Sequence, residues 1–281
     1  MKMPYLTVNG YQIYYRVKGD GVPMLLLEGL GYASWMWKYQ VPEFIRWSKV
    51  IMPDNRGVGN STKLTGPYTI EEFANDAISV VNSLSVEKFY VLGVSMGGLI
   101  AQSIVNIIPN RVKGVILVST TCGGPKAIPM FKETFEQMQL NLEGETIENK
   151  IRRTMKLALT QSFPITEESE FNEIIKERMK YLQTNDQLLY QSLSSVNFDN
   201  STKNNTVTIP SLIVAGTEDR VLPYLNSIIL YKSLPRSSLL LFKGQNHLLF
   251  MEKYGQFNRF VYDFVSSIEN GSFSEYVEEV I

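Results

Sequence analysis

Gly93-Val94-Ser95-Met96-Gly97 follows the apolar run at 89–92 and precedes a stretch with helical spacing. A serine flanked at two removes by glycine at such a junction suits a tight strand-to-helix turn, because residues without bulk let the two backbones pass closely. The turn would strain the backbone of Ser95 and stand its hydroxyl at a helix N-terminus, where free N–H groups and the helix dipole favour an anionic intermediate. A serine hydroxyl is a poor nucleophile alone and needs a base that is neutral near about pH 7, which points to imidazole. The chain has a single histidine, His247, within Gly244-Gln245-Asn246-His247. A lone histidine is commonly a structural one; beside the serine turn, the catalytic reading is favoured. The base in turn needs a carboxylate to fix its tautomer and stabilise the imidazolium. Residues 216–223, Gly-Thr-Glu-Asp-Arg-Val-Leu-Pro, offer two, Glu218 and Asp219. Together these residue types can carry out nucleophilic acyl transfer.

The same counts exclude other chemistries. One cysteine and one histidine in 281 residues leave no internal disulfide, no Cys₄ or Cys₂His₂ zinc site and no CxxC redox pair. With 27 basic and 28 acidic side chains, the formal charge of −1 gives no footprint for nucleic acid. Apolar runs such as 24–27 and 115–118 fall far short of a bilayer span. The opening MKMPYLTVNGYQIYY has tyrosines and polar residues where a secretory leader needs an apolar stretch. The expectation is a soluble cytoplasmic protein, monomer or homodimer, acting on a small molecule without membrane, nucleic acid, metal or organic cofactor.

The elements that must position Ser95 and His247 alternate. Residues 6–17 read as a hairpin about Asn9-Gly10, a pair suited to a two-residue turn. Near-continuous apolar runs at 24–27, 49–52, 89–92, 115–118, 212–215 and 239–242 read as strands of a parallel sheet covered on both faces. Helical stretches lie between them at 70–84 behind Thr69 as N-cap, at 97–108 ended by Pro109, at 222–234 and at 254–268. The fold class is therefore α/β with helices on both faces of the sheet. His247 directly follows the last of these strands, at the same carboxyl edge as Ser95. Residues 126–205 break the rhythm: 22 of these 80 positions are charged, and they hold one of the 19 glycines. Amphipathic spacing at 131–140, 147–159 and 171–182, divided by Pro164, reads as a helical cap inserted into a core made of 1–125 and 206–281. A helical domain in tandem is the weaker reading, because the strand-helix pattern resumes after Ile209-Pro210. The acidic tail, 275–279, reads as a solvated end whose aromatic residues leave room for an oligomer contact.

With the order Ser, Asp, His and a G-x-x-D-x-x-x-P segment, the chain resembles the α/β-hydrolase fold family over about 1–122 and 206–281, and in the cap by position only. The resemblance implies Asp219 as the acid, with Glu218 the lesser candidate, and an oxyanion hole formed by the backbone N–H groups of Met96 and Leu30. Relatives usually have His-Gly at the second of these turns, where this chain has Glu28-Gly29-Leu30-Gly31. Glu28 then either holds the turn by a local hydrogen bond or tunes the pH profile. Asp54-Asn55-Arg56-Gly57-Val58-Gly59-Asn60-Ser61 resembles the D-x-R-G-x-G-x-S loop of this fold. Its expected role is architectural, with Asp54 and Arg56 satisfying buried backbone groups or each other. Trp35, Met36 and Trp37 either line an acyl pocket or form core beneath the cap; Cys122 either lines the site floor or packs as a small apolar residue.

The loop, the tryptophan turn and the cap resemble those of carboxylesterases and 3-oxoadipate enol-lactonase-like members. The resemblance thus implies a serine hydrolase of a small ester, lactone or related acyl substrate. Prolyl aminopeptidase-like and C–C bond hydrolases are alternatives, as is a non-catalytic receptor or binding protein on the same fold. A dehalogenase is disfavoured, since that chemistry uses an aspartate where Ser95 stands.

Overall fold

A computed structural model describes residues 4–281. Among them, nine strands form one sheet: β1 (Tyr5–Val8), β2 (Tyr11–Lys18), β3 (Val22–Leu27), β4 (Ser48–Pro53), β5 (Phe89–Val94), β6 (Val112–Val118), β7 (Ser211–Gly216), β8 (Ser237–Phe242) and β9 (Val277–Val280). Their order is β1-β2-β4-β3-β5-β6-β7-β8-β9. The hairpin strand β2 pairs antiparallel with both β1 and β4, and every later pairing is parallel.

The apolar runs are continuous because both faces of these strands are covered. On β3, Met24 and Leu26 face a cluster with Phe44, Phe257 and Val261, while Leu25 and Leu27 face the opposite cluster with Phe73, Leu99 and Leu230. Each leucine fully buried in this way contributes about 1.5–3 kcal/mol. The covering helices are α1 (Val41–Phe44) and, on the other face, α2 (Ile70–Ser83) and α3 (Met96–Ile107). Thr69 caps α2 in a reciprocal box with Glu72, worth about 1 kcal/mol.

Between β6 and β7 the chain adds no strand and forms α4 (Lys132–Gln139), α5 (Ile147–Lys156), α6 (Phe163–Thr166), α7 (Glu168–Lys180) and α8 (Asn185–Val196). It leaves and returns at adjacent points, where Gly123 bridges Asp199 and the Asn200 N–H donates to the Cys122 carbonyl at 2.8 Å. Met155, Phe163, Phe171 and Ile174 join the cluster that holds Trp35 and Trp37, so this segment shares an apolar core with one face of the sheet. The chain ends with α9 (Leu225–Ser233), α10 (Leu249–Glu252) and α11 (Tyr254–Glu269) before β9. Among the described residues no helix is long and apolar enough to cross a membrane.

Two expectations are corrected. The tail is not simply a solvated end: residues 277–280 pair parallel with β8 as the last strand of the sheet, anchored by Lys243 N–H to the Val280 carbonyl at 2.8 Å. Backbone pairing to an open sheet edge makes that strand, and Val-Glu-Glu-Val alone carries no alternation to announce it. The helix expected from 222 begins at Leu225, because Asp219 holds the amides of Val221 and Leu222 in a turn.

Candidate functional site

Ser95 sits between the end of β5 and the first residue of α3 with φ +55° and ψ −119°, a conformation that costs a non-glycine residue about 1–3 kcal/mol. The flanking glycines make it possible. A Cβ on Gly93 would fall 2.2 Å from the Gly97 carbonyl oxygen, and one on Gly97 would fall 2.1 Å from that of Leu27. The strained turn is bolted at both ends: Ser95 N–H donates to Val118 O at 2.9 Å, and the Thr120 hydroxyl donates to Ser95 O at 2.7 Å. The Ser95 hydroxyl is partly exposed and has no hydrogen-bond partner among the described residues. Such contacts commonly tighten only when substrate is bound.

His247 and Asp219 follow β8 and β7, at the same carboxyl edge as Ser95. Their hydrogen bond, His247 Nδ1 to Asp219 Oδ2, is 2.8 Å long between buried side chains. The other carboxylate oxygen, Oδ1, accepts the amides of Val221 and Leu222, both at 2.8 Å, so the acid is oriented by its own loop. Glu218, the other candidate, is exposed. The His247 main chain is fixed as well, its N–H donating to Asn246 Oδ1 at 2.8 Å and its carbonyl accepting from the Ser119 hydroxyl at 3.0 Å. Nothing in residue type or spacing distinguishes Ser119, Thr120 or Asn246 in the sequence; their roles exist only once three strand ends are adjacent.

The Glu28–Gly31 turn lies against the serine, since a Cβ on Gly29 would fall 3.3 Å from Ser95 Cβ. The amide of Leu30 donates to no group among the described residues, and Met96, as the first residue of α3, has no partner within its helix. Gly31 is the third amide of the region, and it is taken: it donates to Gln191 Oε1 of α8 at 3.0 Å, while Arg178 of α7 donates to the Gly31 carbonyl at 2.9 Å. Gln191 was not legible as a site residue. The inward face of α8 is polar, with Gln187, Gln191 and Ser194 buried, and so shows no apolar period.

Glu28 is completely buried and accepts the Asn55 amide at 2.6 Å through Oε1, which ties the turn to the loop after β4; Oε2 has no partner among the described residues. Burial, and then the nearby Asp54 charge, raise its carboxyl well above the ordinary range. The folded protein therefore keeps a proton on Glu28 that the unfolded chain releases near its ordinary value of about 4.3. Stability from this group is full below that value and declines as pH rises through the raised one. Glu28→Gln, which has no proton to lose, should gain melting temperature over the wild type between about pH 5 and about pH 8. An equal difference between the two proteins at both pH values would show that Glu28 does not titrate in the fold.

The remaining candidates lie in the frame. Asp54 accepts the amides of Ser34 and Asn60, at 2.8 and 2.9 Å. Arg56 does not pair with Asp54; its guanidinium lies on Asp76, Glu72 and the Tyr11 hydroxyl, so the loop is riveted to α2. A surface concavity of about 470 Å³ opens beside this network but contains none of Ser95, Asp219 and His247, and its charges are already paired. Trp35 and Trp37 are buried in the core beneath α5 to α7, Trp37 against Phe250 with ring centroids 5.7 Å apart. Cys122 is buried in the cluster on the α2 and α3 side, and burial raises its thiol above the ordinary value, which makes it a weak nucleophile. Among the described residues no group of three or more His, Cys, Asp or Glu side chains is placed to hold a metal ion.

Comparison with known proteins agrees with this fold. Residues 22–254 match the family described as alpha/beta hydrolase fold. The chain belongs to this family of hydrolases. Among curated relatives, the hydrolase is 25% identical over 238 residues to a putative carbamate hydrolase, RutD, of Azorhizobium caulinodans, covering 83% of this chain and 87% of that one. It is also 25% identical over 268 residues to a 2-hydroxy-6-oxononadienedioate/2-hydroxy-6-oxononatrienedioate hydrolase of Dechloromonas aromatica, covering 91% of each. Among solved structures, the hydrolase superposes on the enol-lactonase of Burkholderia xenovorans with a TM-score of 0.78 and 21% identity, over 94% of this chain and all of that one.

Proposed function

We propose that the protein is a serine hydrolase cleaving a small ester, lactone or related acyl substrate through an acyl-enzyme. Ser95 Oγ attacks the carbonyl carbon while His247 takes its proton; the oxyanion is received by the Met96 and Leu30 amides. The intermediate collapses by breaking the bond to the leaving group, which takes the proton from His247. Water, deprotonated by the same imidazole, then attacks the acyl-serine; the Ser95 Oγ–acyl bond breaks, Oγ takes the proton back from His247, and the acid is released. Asp219 holds the ring and stabilises the imidazolium. The observation that carries this reading is the 2.8 Å contact from the only imidazole in the chain to a buried, loop-held aspartate at the sheet edge occupied by a strained serine.

The apolar core shared by residues 126–205 and the sheet face supports the view that this segment acts as a cap over the pocket. The named activities of the relatives span carbamate, lactone and dienedioate substrates, so bond type is decided by assay. Wild type and Ser95→Ala are incubated with a fluorophosphonate probe and a short p-nitrophenyl ester. Labelling and turnover are expected in the wild type alone. Absence of both in the wild type would instead favour a non-catalytic binding protein. Esters, lactones, carbamates and aminoacyl anilides then separate the subclasses, prolyl aminopeptidase-like and C–C bond hydrolase activities included.

A further inference from the structure

Asn246, beside the base, uses every hydrogen-bonding position of its side chain. It is 1% exposed. Its Oδ1 accepts from Arg220 N–H at 3.1 Å, one residue beyond the acid, and from His247 N–H at 2.8 Å. Its Nδ2 donates to the carbonyls of Leu157 and Leu159 at 3.1 and 2.8 Å, in the segment that follows α5. The same segment is held again by Leu248 N–H on Ala158 O at 3.0 Å and by Glu252, which accepts from the amide and hydroxyl of Thr160.

One oxygen atom therefore spans the acid loop and the base loop, and one nitrogen fastens both to the helical insertion. Two amides and two carbonyls converge on this buried point, and only a side chain with an acceptor and a two-proton donor on one carbon, as in a carboxamide, satisfies all four. We propose that Asn246 is a positioning residue for the Asp219–His247 pair, fixing the separation of their loops and making it depend on how residues 157–160 are seated. This inference rests on the serine-hydrolase reading, since it assigns Asn246 a role in orienting that base. The physical reason to expect a kinetic effect is steep: a misplacement of about 1 Å in a catalytic group can cost about 10²-fold.

The test measures kcat and KM on a p-nitrophenyl ester, with thermal melting, for wild type, Asn246→Ala and Asn246→Asp. Alanine should lower kcat about 10- to 100-fold and leave KM within about twofold. Aspartate keeps an acceptor for the Arg220 and His247 amides but, when ionised, has no donor for the Leu157 and Leu159 carbonyls, so it should recover part of kcat, between alanine and wild type, with a lower melting temperature. Should the alanine variant not fold, Asn246→Ser, with one short acceptor, takes its place under the same readouts. Unchanged kcat in the folded alanine or serine variant, or an aspartate variant no more active than alanine, overturns the proposal. Wild type is assayed first: an inactive, unlabelled wild type removes the hydrolase reading and this inference together, whereas an active wild type indifferent to Asn246 removes this inference alone.

Discussion

His247→Ala is expected to fold normally and to lose about 10⁵- to 10⁶-fold in kcat, with KM changed little. The magnitude follows from the role: without a base the Ser95 hydroxyl must be deprotonated by water, and the oxyanion amides alone recover only about 10³- to 10⁴-fold over the uncatalysed rate. No second imidazole exists in the sequence to take its place. The fold should survive because the contacts that shape this loop are made by the main chain of residue 247, whose N–H lies on Asn246 and whose carbonyl accepts the Ser119 hydroxyl. Removing the ring leaves Asp219 with the amides of Val221 and Leu222, so the acid is not stranded. Ester turnover with a purified, folded variant checks the expectation, and labelling by a fluorophosphonate should slow in parallel. Activity within tenfold of the wild type would remove imidazole from the mechanism altogether.

The parts of this site that were legible in the sequence are those whose chemistry is written in local residue types. The serine turn announces itself through Gly93 and Gly97, because two close backbone passages forbid any larger residue. His247 is conspicuous by being alone. The parallel strands are readable because burial on both faces forces unbroken apolar runs such as residues 24–27. What was not legible depends on tertiary pairing. Arg56 finds Asp76 and Glu72 on α2, not the neighbouring Asp54, and sequence adjacency gives no hint of it. The strand β9 owes its conformation to the open edge of β8. Gln191 and Asn246 belong to the same class: polar residues turned inward to satisfy backbone groups of distant loops, invisible to any search for apolar periodicity.

These hidden contacts join the site to the insertion from two sides. Arg178 and Gln191, from α7 and α8, grip the carbonyl and amide of Gly31 beside the turn proposed to hold the oxyanion, while residues 157–160 grip the loop of His247, the proposed base. Helices α7 and α8 thus bear on the turn proposed to hold the oxyanion, and the segment 157–160 on the loop of the proposed base, through hydrogen bonds that end on main-chain groups. A change in the insertion is therefore expected to alter kcat as well as substrate choice, unlike a change in a wall that only touches substrate.

Asp219→Asn should cost about 10⁴-fold in kcat while leaving the melting temperature close to that of the wild type. The direction of the effect is set by the contacts of the two carboxylate oxygens. Oδ1 accepts two backbone amides at 2.8 Å, and an –NH₂ group in that place would face two donors, so asparagine must keep its carbonyl oxygen there. Its nitrogen is then forced toward His247 Nδ1, where it can only donate. Nδ1 becomes the acceptor of the ring, the ring proton moves to Nε2, and the nitrogen that should receive the Ser95 proton already carries one. The variant is thus folded, correctly shaped and in the wrong tautomer, because the same two amides that orient the acid prevent the amide from flipping. Steady-state kinetics together with a thermal melt separate this from unfolding. A variant that kept more than a tenth of wild-type kcat would mean that Asp219 only anchors its loop, and that tautomer control resides elsewhere.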